Sequence, residues 1–110
     1  MASVFKVLGQ FAPTGTTNVD LYTVPSSTST VVSTINVTNL TATEATFSVY
    51  VRVAGATAAG ANTLLKDVPL AANSVFSATQ GITLGAADII TVSTATADAL
   101  SFQVFGSEIS

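Results

Sequence analysis

Apolar and polar residues alternate along several short segments, and the clearest one runs from Thr46 to Val53. One parity of this segment is apolar and consists of Phe47, Val49, Val51 and Val53. The other parity holds Thr46, Ser48, Tyr50 and Arg52. A strand with one face in a core has this period of two. A second alternating set, Val31, Ser33, Ile35 and Val37, opposed by Val32, Thr34, Asn36 and Thr38, predicts another such strand.

Six further segments rich in valine, threonine and aromatic residues are predicted strands, namely Val4–Leu8, Val19–Val24, Leu64–Val68, Ser74–Thr79, Asp88–Ser93 and Leu100–Phe105. Glycine, proline and asparagine clusters separate them and mark turns. Ala54–Leu65 is alanine-rich but holds two glycines, so it is predicted to be a loop with room for a short helical turn. Eight short strands spaced by about ten residues predict one all-β domain over residues 1–110, an antiparallel β-sandwich of jelly-roll type.

Two stretches of the chain are similar at a fixed offset: Leu21–Ser33 reads LYTVPSSTSTVVS, and Leu65–Ser77 reads LKDVPLAANSVFS. Both contain Val-Pro at the same position. Because proline cannot donate a hydrogen bond to a sheet, each Val-Pro is predicted to end a strand and to begin a corner. A jelly roll contains two Greek keys and so has two places for such a corner.

Charged residues are scarce, and histidine and cysteine are absent, which excludes several classes of function. The chain has three Lys and Arg, six Asp and Glu, and a net charge of −3. Nucleic-acid binding requires clustered basic residues. Zinc and redox-metal sites depend on Cys and His, and catalytic triads depend on a base that is usually His. The spacing of the acids matches neither an EF-hand loop nor the cleft of a glycosidase. We therefore expect no enzyme, no catalytic residue, no cofactor and no metal.

Hydrophobic residues make up 48% of the chain, but they are spread over many short segments. The longest nearly apolar run, Val53 to Ala61, is far shorter than the roughly 20 residues that cross a membrane. Residues 1–10 lack the basic and apolar regions of a signal peptide. We therefore expect neither a membrane partner nor an extracellular adhesin.

The small number of charges points to a protein that works against other protein surfaces. Soluble monomers keep charges dispersed over their surface, whereas the centres of interfaces are depleted of charge. A homo-oligomer is therefore expected, with residues 1–12 as a docking arm that pairs with a sheet edge. The candidate interface residues are Phe5, Val7, Tyr22, Tyr50, Arg52, Phe105 and Ile109.

The aromatic residues have more than one interpretation. All six phenylalanines, among them Phe5, Phe11 and Phe105, are suited to a core. Tyr22 and Tyr50 are each interpreted as a residue that covers a core edge and forms hydrogen bonds through its hydroxyl, or as part of a platform for sugars. The first interpretation of the tyrosines is favoured.

A series of short motifs resembles small β-rich virion proteins of tailed bacteriophages: Lys6–Gln10, Ala12-Pro13, Leu21–Pro25, Thr30–Val37, Phe47–Val49, Asp67–Leu70, Gly81–Leu84 and Phe105–Ile109. None of these motifs is catalytic. The resemblance implies a capsid decoration (cement) subunit on the capsid surface of a virion, made in the host cytoplasm. It favours a trimer at three-fold positions, bound to the major capsid protein or to other virion proteins. The alternative is a small tail-fibre or neck module that binds a host glycan or other tail proteins.

Overall fold

A computed structural model describes residues 3–79 and 81–110, which form nine strands and two short 3₁₀ turns. The 3₁₀ turns are Val53–Gly55 and Gly60–Asn62. The strands are β1 (Ser3–Phe11), β2 (Val19–Thr23), β3 (Ser29–Asn39), β4 (Ala45–Arg52), β5 (Thr63–Leu70), β6 (Val75–Ala78), β7 (Ile82–Leu84), β8 (Ile89–Thr94) and β9 (Leu100–Ile109). No helix within these residues is long and apolar enough to cross a membrane.

The strands form two antiparallel sheets that face each other. The five-stranded sheet has the order β1-β9-β3-β6, with β7 also paired to β3, and the four-stranded sheet has the order β2-β8-β4-β5. The first four strands thus pair in turn with the later ones: β1 with β9, β2 with β8, β3 with β6 and β7, and β4 with β5. The first half of the chain pairs antiparallel with the second half, and successive pairs alternate between the two sheets. This topology is the jelly roll. Because β6 and β7 lie end to end along the same edge of β3, the nine strands occupy eight positions in the two sheets.

The core lies between the two sheets and is built from the inward side chains of both. Phe47 of β4 stands near its middle and is almost completely buried. Its ring centroid lies 5.4 Å from that of Phe76 in β6 and 6.0 Å from that of Phe102 in β9. Tilted and edge-on aromatic pairs of this kind add to the free energy that burial of their area provides. The alternation predicted for residues 46–53 is confirmed here, since Phe47 and Val49 are buried.

Three predictions about individual segments are wrong. β5 begins at Thr63, inside the predicted loop, and it continues through Pro69 to Leu70. Proline is tolerated there because β5 is an edge strand, where an N–H is not needed on the solvent side. β9 extends to Ile109 instead of ending at Phe105, and β7 was not predicted as a strand. The two similar stretches nevertheless occupy equivalent places, because β2 and β5 are the two edges of one sheet and each is followed by a strand of the other sheet.

Two β-bulges, one in β1 and one in β3, flank the same residue of β9, Phe105. The register with β1 shifts between Val7 and Gly9, and the register with β3 shifts between Val32 and Thr34. A bulge moves the following residues to the opposite face of the sheet. Val32 is consequently buried, and Val31 is exposed, although the alternating pattern groups Val31 with Ile35 and Val37.

The prediction that every phenylalanine belongs to the core is wrong for the first strand. Phe5 is 86% exposed and Phe11 is 44% exposed, whereas Phe105 of β9 is only partly buried. The bulge in β1 turns Phe5 away from the opposing sheet, so nothing within the molecule covers it. The proposed arm at residues 1–12 lies along β9 of its own chain from Ser3 to Phe11, and residues 1 and 2 fall outside the described residues.

Candidate interaction surface

The outward face of the five-stranded sheet carries no charged side chain among the described residues. Strand register assigns the outward residues, because each pairs with another outward residue while its neighbours along the strand point into the core. We call this surface the neutral face; its residues are Ser3, Phe5, Val7 and Gln10 of β1, Ser101, Gln103, Phe105, Ser107 and Ile109 of β9, Ser29, Val31, Thr34, Asn36 and Thr38 of β3, Val75 and Ser77 of β6, and Thr83 of β7.

The bulges divide the neutral face into two halves of different chemistry. The apolar half lies beside β7, and its large side chains are Phe5, Val7, Val31, Phe105 and Ile109. The polar half lies beside β6 and consists mainly of amide and hydroxyl groups: Gln10, Gln103, Asn36, Thr38, Ser77 and Ser101, with Val75 at its edge. A single face therefore offers a hydrophobic area and a neutral hydrogen-bonding area side by side.

The apolar half contains a shallow depression of about 370 Å³. Ser107 lies at its centre, because it pairs with Phe5 on one side and with Val31 on the other. Phe105 borders it in the row of paired residues beside Ser107, and Ser33, Gly106 and Lys6 complete its lining, with the Lys6 ammonium paired to Glu108. A Cβ atom on Gly106 would collide with the carbonyl oxygen of Val31, so β9 can approach β3 this closely only with glycine at this position.

The outward face of the four-stranded sheet differs, because it holds two ion pairs. Arg52 binds Asp20 at 2.9 Å, and Lys66 lies 3.7 Å from Asp67 in an exposed pair. The Arg52 guanidinium also donates to the carbonyl oxygens of Ala56 and Gly55 and to Thr91 Oγ1. All three nitrogens of this side chain are therefore occupied within the molecule, where they hold the turn that follows β4.

A second depression, of about 430 Å³, lies on the same side as these ion pairs. It is lined by Tyr50, Thr63, Lys66 and residues 58–60. Tyr50 is half-buried on the outward face of β4, as its position in the alternating pattern predicts. Tyr50, Thr63 and Lys66 combine an apolar ring surface with side chains that form hydrogen bonds.

Glu108 and Tyr22 form a cluster inside one end of the sandwich. The Tyr22 hydroxyl donates to Glu108 Oε2 at 2.6 Å and lies 2.8 Å from Thr30 Oγ1, while Lys6 Nζ lies 3.3 Å from Glu108 Oε1. The hydrogen bond from Tyr22 holds the pKa of Glu108 below its usual range, with Lys6 adding to the effect. Burial, followed by the bond to Glu108, raises the pKa of Tyr22 to about 12.

Most of the other acids also have structural partners. The Asp88 carboxylate accepts hydrogen bonds from the backbone N–H groups of Ala54 and Gly85, and so connects the turn after β4 to the turn before β8. Asp67 interacts with Ser48 through both its side chain and its N–H. Within residues 3–79 and 81–110, Asp and Glu do not come together in a group of three that is able to hold a metal ion.

The structure separates the seven candidate interface residues into three groups. Phe5, Val7, Phe105 and Ile109 come together on the apolar half of the neutral face. Tyr50 and Arg52 lie on the opposite side of the molecule. Tyr22 is 8% exposed and forms hydrogen bonds through its hydroxyl, as the favoured interpretation predicts, so it offers almost no surface to a partner.

Sequence reasoning missed Val31 as an exposed residue of the apolar half. The alternating pattern places Val31 with core residues, and the bulge that exposes it leaves no clear mark in β3 itself. The available signal is Gly106 in the apolar stretch that forms β9, because a glycine inside a strand marks a bulge or a close approach of backbones.

The strand order defines the chain as a jelly-roll β-sandwich. No protein-family model matches it, and no curated protein matches it. Among solved structures, it is similar to a chain in the structure of infectious bursal disease virus Gx strain, with 14% sequence identity and a TM-score of 0.49. The match covers 97% of this chain and 31% of the viral chain, so the protein spans about a third of the length of the viral chain.

Proposed function

We propose that this protein is a virion structural subunit of the capsid decoration type, which acts through protein–protein contact and performs no reaction. The observation that carries the proposal is the neutral face: one side of a sheet with no charged residue, on a chain with a net charge of −3. The motif resemblance to small virion proteins supplies the setting, namely the capsid surface, with the major capsid protein and sister copies as partners.

The neutral face suits such a contact because its burial desolvates no ion. Taking charges out of water carries a large free-energy cost that pairing only partly offsets. The amide and hydroxyl groups of the polar half exchange hydrogen bonds with water for hydrogen bonds with a partner, directly or through bridging water. The polar half of the neutral face is therefore the surface that would contact the capsid shell.

Shell stabilisation by such subunits is mechanical. Each copy bridges neighbouring shell subunits and resists their separation, and a trimer at three-fold positions does so three times over. A standard interface of about 1,600 Å² is sufficient for a specific contact. Linkage within an oligomer increases the overall affinity without any new contact, so each individual contact can be weak.

The proposal is tested by adding the purified protein to shells assembled without it and measuring co-sedimentation and the heat resistance of the shells. Gln103→Glu and Asn36→Asp each place one charge in the polar half without a change of size. Each is expected to weaken shell binding by about tenfold, because the new carboxylate is buried without a partner. Asn18→Asp makes the same change in an exposed loop and is expected to bind like the wild type.

Shells that bind no protein, or that bind the two neutral-face variants as well as the wild type, would overturn the proposal. Images of particles that carry a label on this chain test the proposal independently, because they locate the protein on the particle. Label on the shell surface supports the decoration role, whereas label confined to the tail or neck contradicts it.

The second candidate is a tail-fibre or neck module that binds a host glycan, and the depression beside Tyr50 favours it. This role predicts saturable binding on an array of bacterial surface glycans, which Tyr50→Ala abolishes. Gln103→Glu is its control, because that change lies on the opposite sheet. If no glycan on the array binds in a way that Tyr50→Ala abolishes, this candidate function is contradicted.

A further inference from the structure

The apolar half of the neutral face holds a projecting side chain directly beside a depression. Phe5 is the most exposed of the large apolar residues that the structure describes, and it stands at the rim of the depression above Ser107. We propose that a second copy of this chain covers this area, with Phe5 of one copy seated over Ser107 of the other. The inference deepens the assembly proposed above, on which it rests, by naming the contact between copies.

Geometry allows the ring to enter. Ser107 is a small residue between the larger Phe5 and Val31, and Gly106 beside it has no side chain. A ring seated over Ser107 would contact Val31 on one side and Phe105 on another. An exposed Phe ring that becomes buried removes a large apolar area from water, and an edge-on contact with a second ring adds to the gain.

Two features of the molecule favour a second copy over an unrelated partner. Every copy carries the same net charge of −3, so two copies repel least where they meet through the neutral face, beside which the charge of Lys6 is paired with that of Glu108. The projecting ring and the depression also belong to one patch of one chain. Every copy therefore offers both the ring and its seat, so identical subunits can join through this contact either as a pair or head to tail around a closed ring.

The dimensions of the apolar half predict a weak contact. Four strands about 4.8 Å apart and about six residues long cover roughly 400 Å² on each copy. The two copies together would bury about 800 Å², which is below the roughly 1,000 Å² of a stable interface, so a dissociation constant of roughly 10 µM to 1 mM is expected for an isolated contact. A contact of this strength becomes effective when the shell holds many copies close together.

The test is analytical ultracentrifugation of the full chain over a concentration range that spans this interval. Phe5→Ser removes the projecting ring, and Ser107→Trp fills the depression while Phe5 stays in place. Each variant is expected to weaken self-association at least tenfold. Val53→Ser is the matched control, because Val53 is also highly exposed but lies in the turn after β4. It is expected to associate like the wild type.

Circular dichroism on the same samples shows that the variants are folded, which is expected because both changed residues point outward. Phe5→Leu is expected to restore part of the association that Phe5→Ser removes. Association that survives both Phe5→Ser and Ser107→Trp, or a wild-type chain that stays monomeric at 1 mM (the upper end of the range expected for such a contact), overturns the inference. Survival of both changes would assign self-association to another surface, such as the free edge of β1.

The oligomer mass and the shell-binding assay separate this inference from the proposed function. A trimer that depends on Phe5 supports both. A dimer that depends on Phe5 supports the inference and contradicts a trimeric decoration subunit. If Phe5→Ser abolishes self-association while single copies still bind shells, the contact between copies and the contact with the shell are distinct surfaces, as proposed.

Discussion

Tyr22 donates a hydrogen bond of 2.6 Å to Glu108 and thereby joins β2 of one sheet to β9 of the other. Glu108 also binds Lys6 of β1, and the Tyr22 hydroxyl also lies against Thr30 of β3. Four strands from both sheets therefore meet at this cluster. It lies on the inner side of the same strands that carry Phe5 and Ser107 on the neutral face, so it maintains the strand register that forms the depression.

Tyr22→Phe is expected to lower the free energy of unfolding by about 1–3 kcal/mol. The change removes the donor of a charge-assisted hydrogen bond and leaves Glu108 partly desolvated. The measurement is chemical denaturation at neutral pH. Tyr50→Phe alters the other tyrosine, which is on the solvent side of β4, and is expected to change stability by less than about 0.5 kcal/mol. Equal effects of the two changes would contradict a stabilising role for the cluster.

Stability is expected to fall in acid in a way that depends on Tyr22. The pKa of Glu108 is lower in the folded chain than its ordinary value of 4.5, chiefly because Tyr22 donates to its carboxylate. A group whose pKa falls on folding stabilises the protein above its unfolded pKa, and this contribution is lost as the pH falls through the folded value. The stability difference between the wild type and Tyr22→Phe is therefore expected to shrink below pH 4.5. A constant difference down to the acid transition would contradict this assignment.

The same pair of proteins is expected to differ in alkali. Burial and the bond to Glu108 raise the pKa of Tyr22 from 10.0 to about 12. Between these two values the unfolded chain loses the phenolic proton while the folded chain retains it, so the wild type becomes less stable as the pH rises. Tyr22→Phe lacks this proton. Denaturation from pH 10 to 12 should therefore show the wild type losing stability relative to the variant.

Gly106→Ala is expected to destabilise the protein by about 3 kcal/mol or more, because the added methyl group overlaps the carbonyl of Val31 and forces β3 and β9 apart. Gly15→Ala is the control, since a Cβ atom there has no atom within 4 Å. Thermal denaturation of the two variants measures the difference. If the two changes have the same effect, the close approach of β9 to β3 is not required.

Arg52→Ala is expected to lower stability by about 2 kcal/mol and to speed proteolysis within residues 53–62. The change removes the hydrogen bonds that hold the carbonyls of Ala56 and Gly55 and leaves Asp20 without its ion pair. Lys66→Ala breaks an exposed ion pair and should cost less than about 0.5 kcal/mol. Limited proteolysis and denaturation together test the comparison. Unchanged cleavage of Arg52→Ala would show that the turn holds its shape without Arg52.

The alternating segments could be predicted because the pattern that marks them lies within a few neighbouring residues. Phe47 and Val49 reach the core as the period of two predicts, and the eight strand positions follow from the turn residues between them. The bulges were not predictable in this way. A shift of one residue turns Val31 outward and Val32 inward, and it results from pairing with β9, which lies some 70 residues further along the chain.

The sequence by itself determined an all-β chain with short strands, few charges and neither histidine nor cysteine, because composition and alternation do not depend on how distant segments pair. Only the tertiary structure decided which strands share a sheet, and therefore that the ion pairs of Asp20 and Lys66 lie on one side and the neutral face on the other. Phe5, Val31 and Phe105 lie far apart in the chain, and long-range pairing of β1, β3 and β9 brings them together. The candidate site is a product of that pairing.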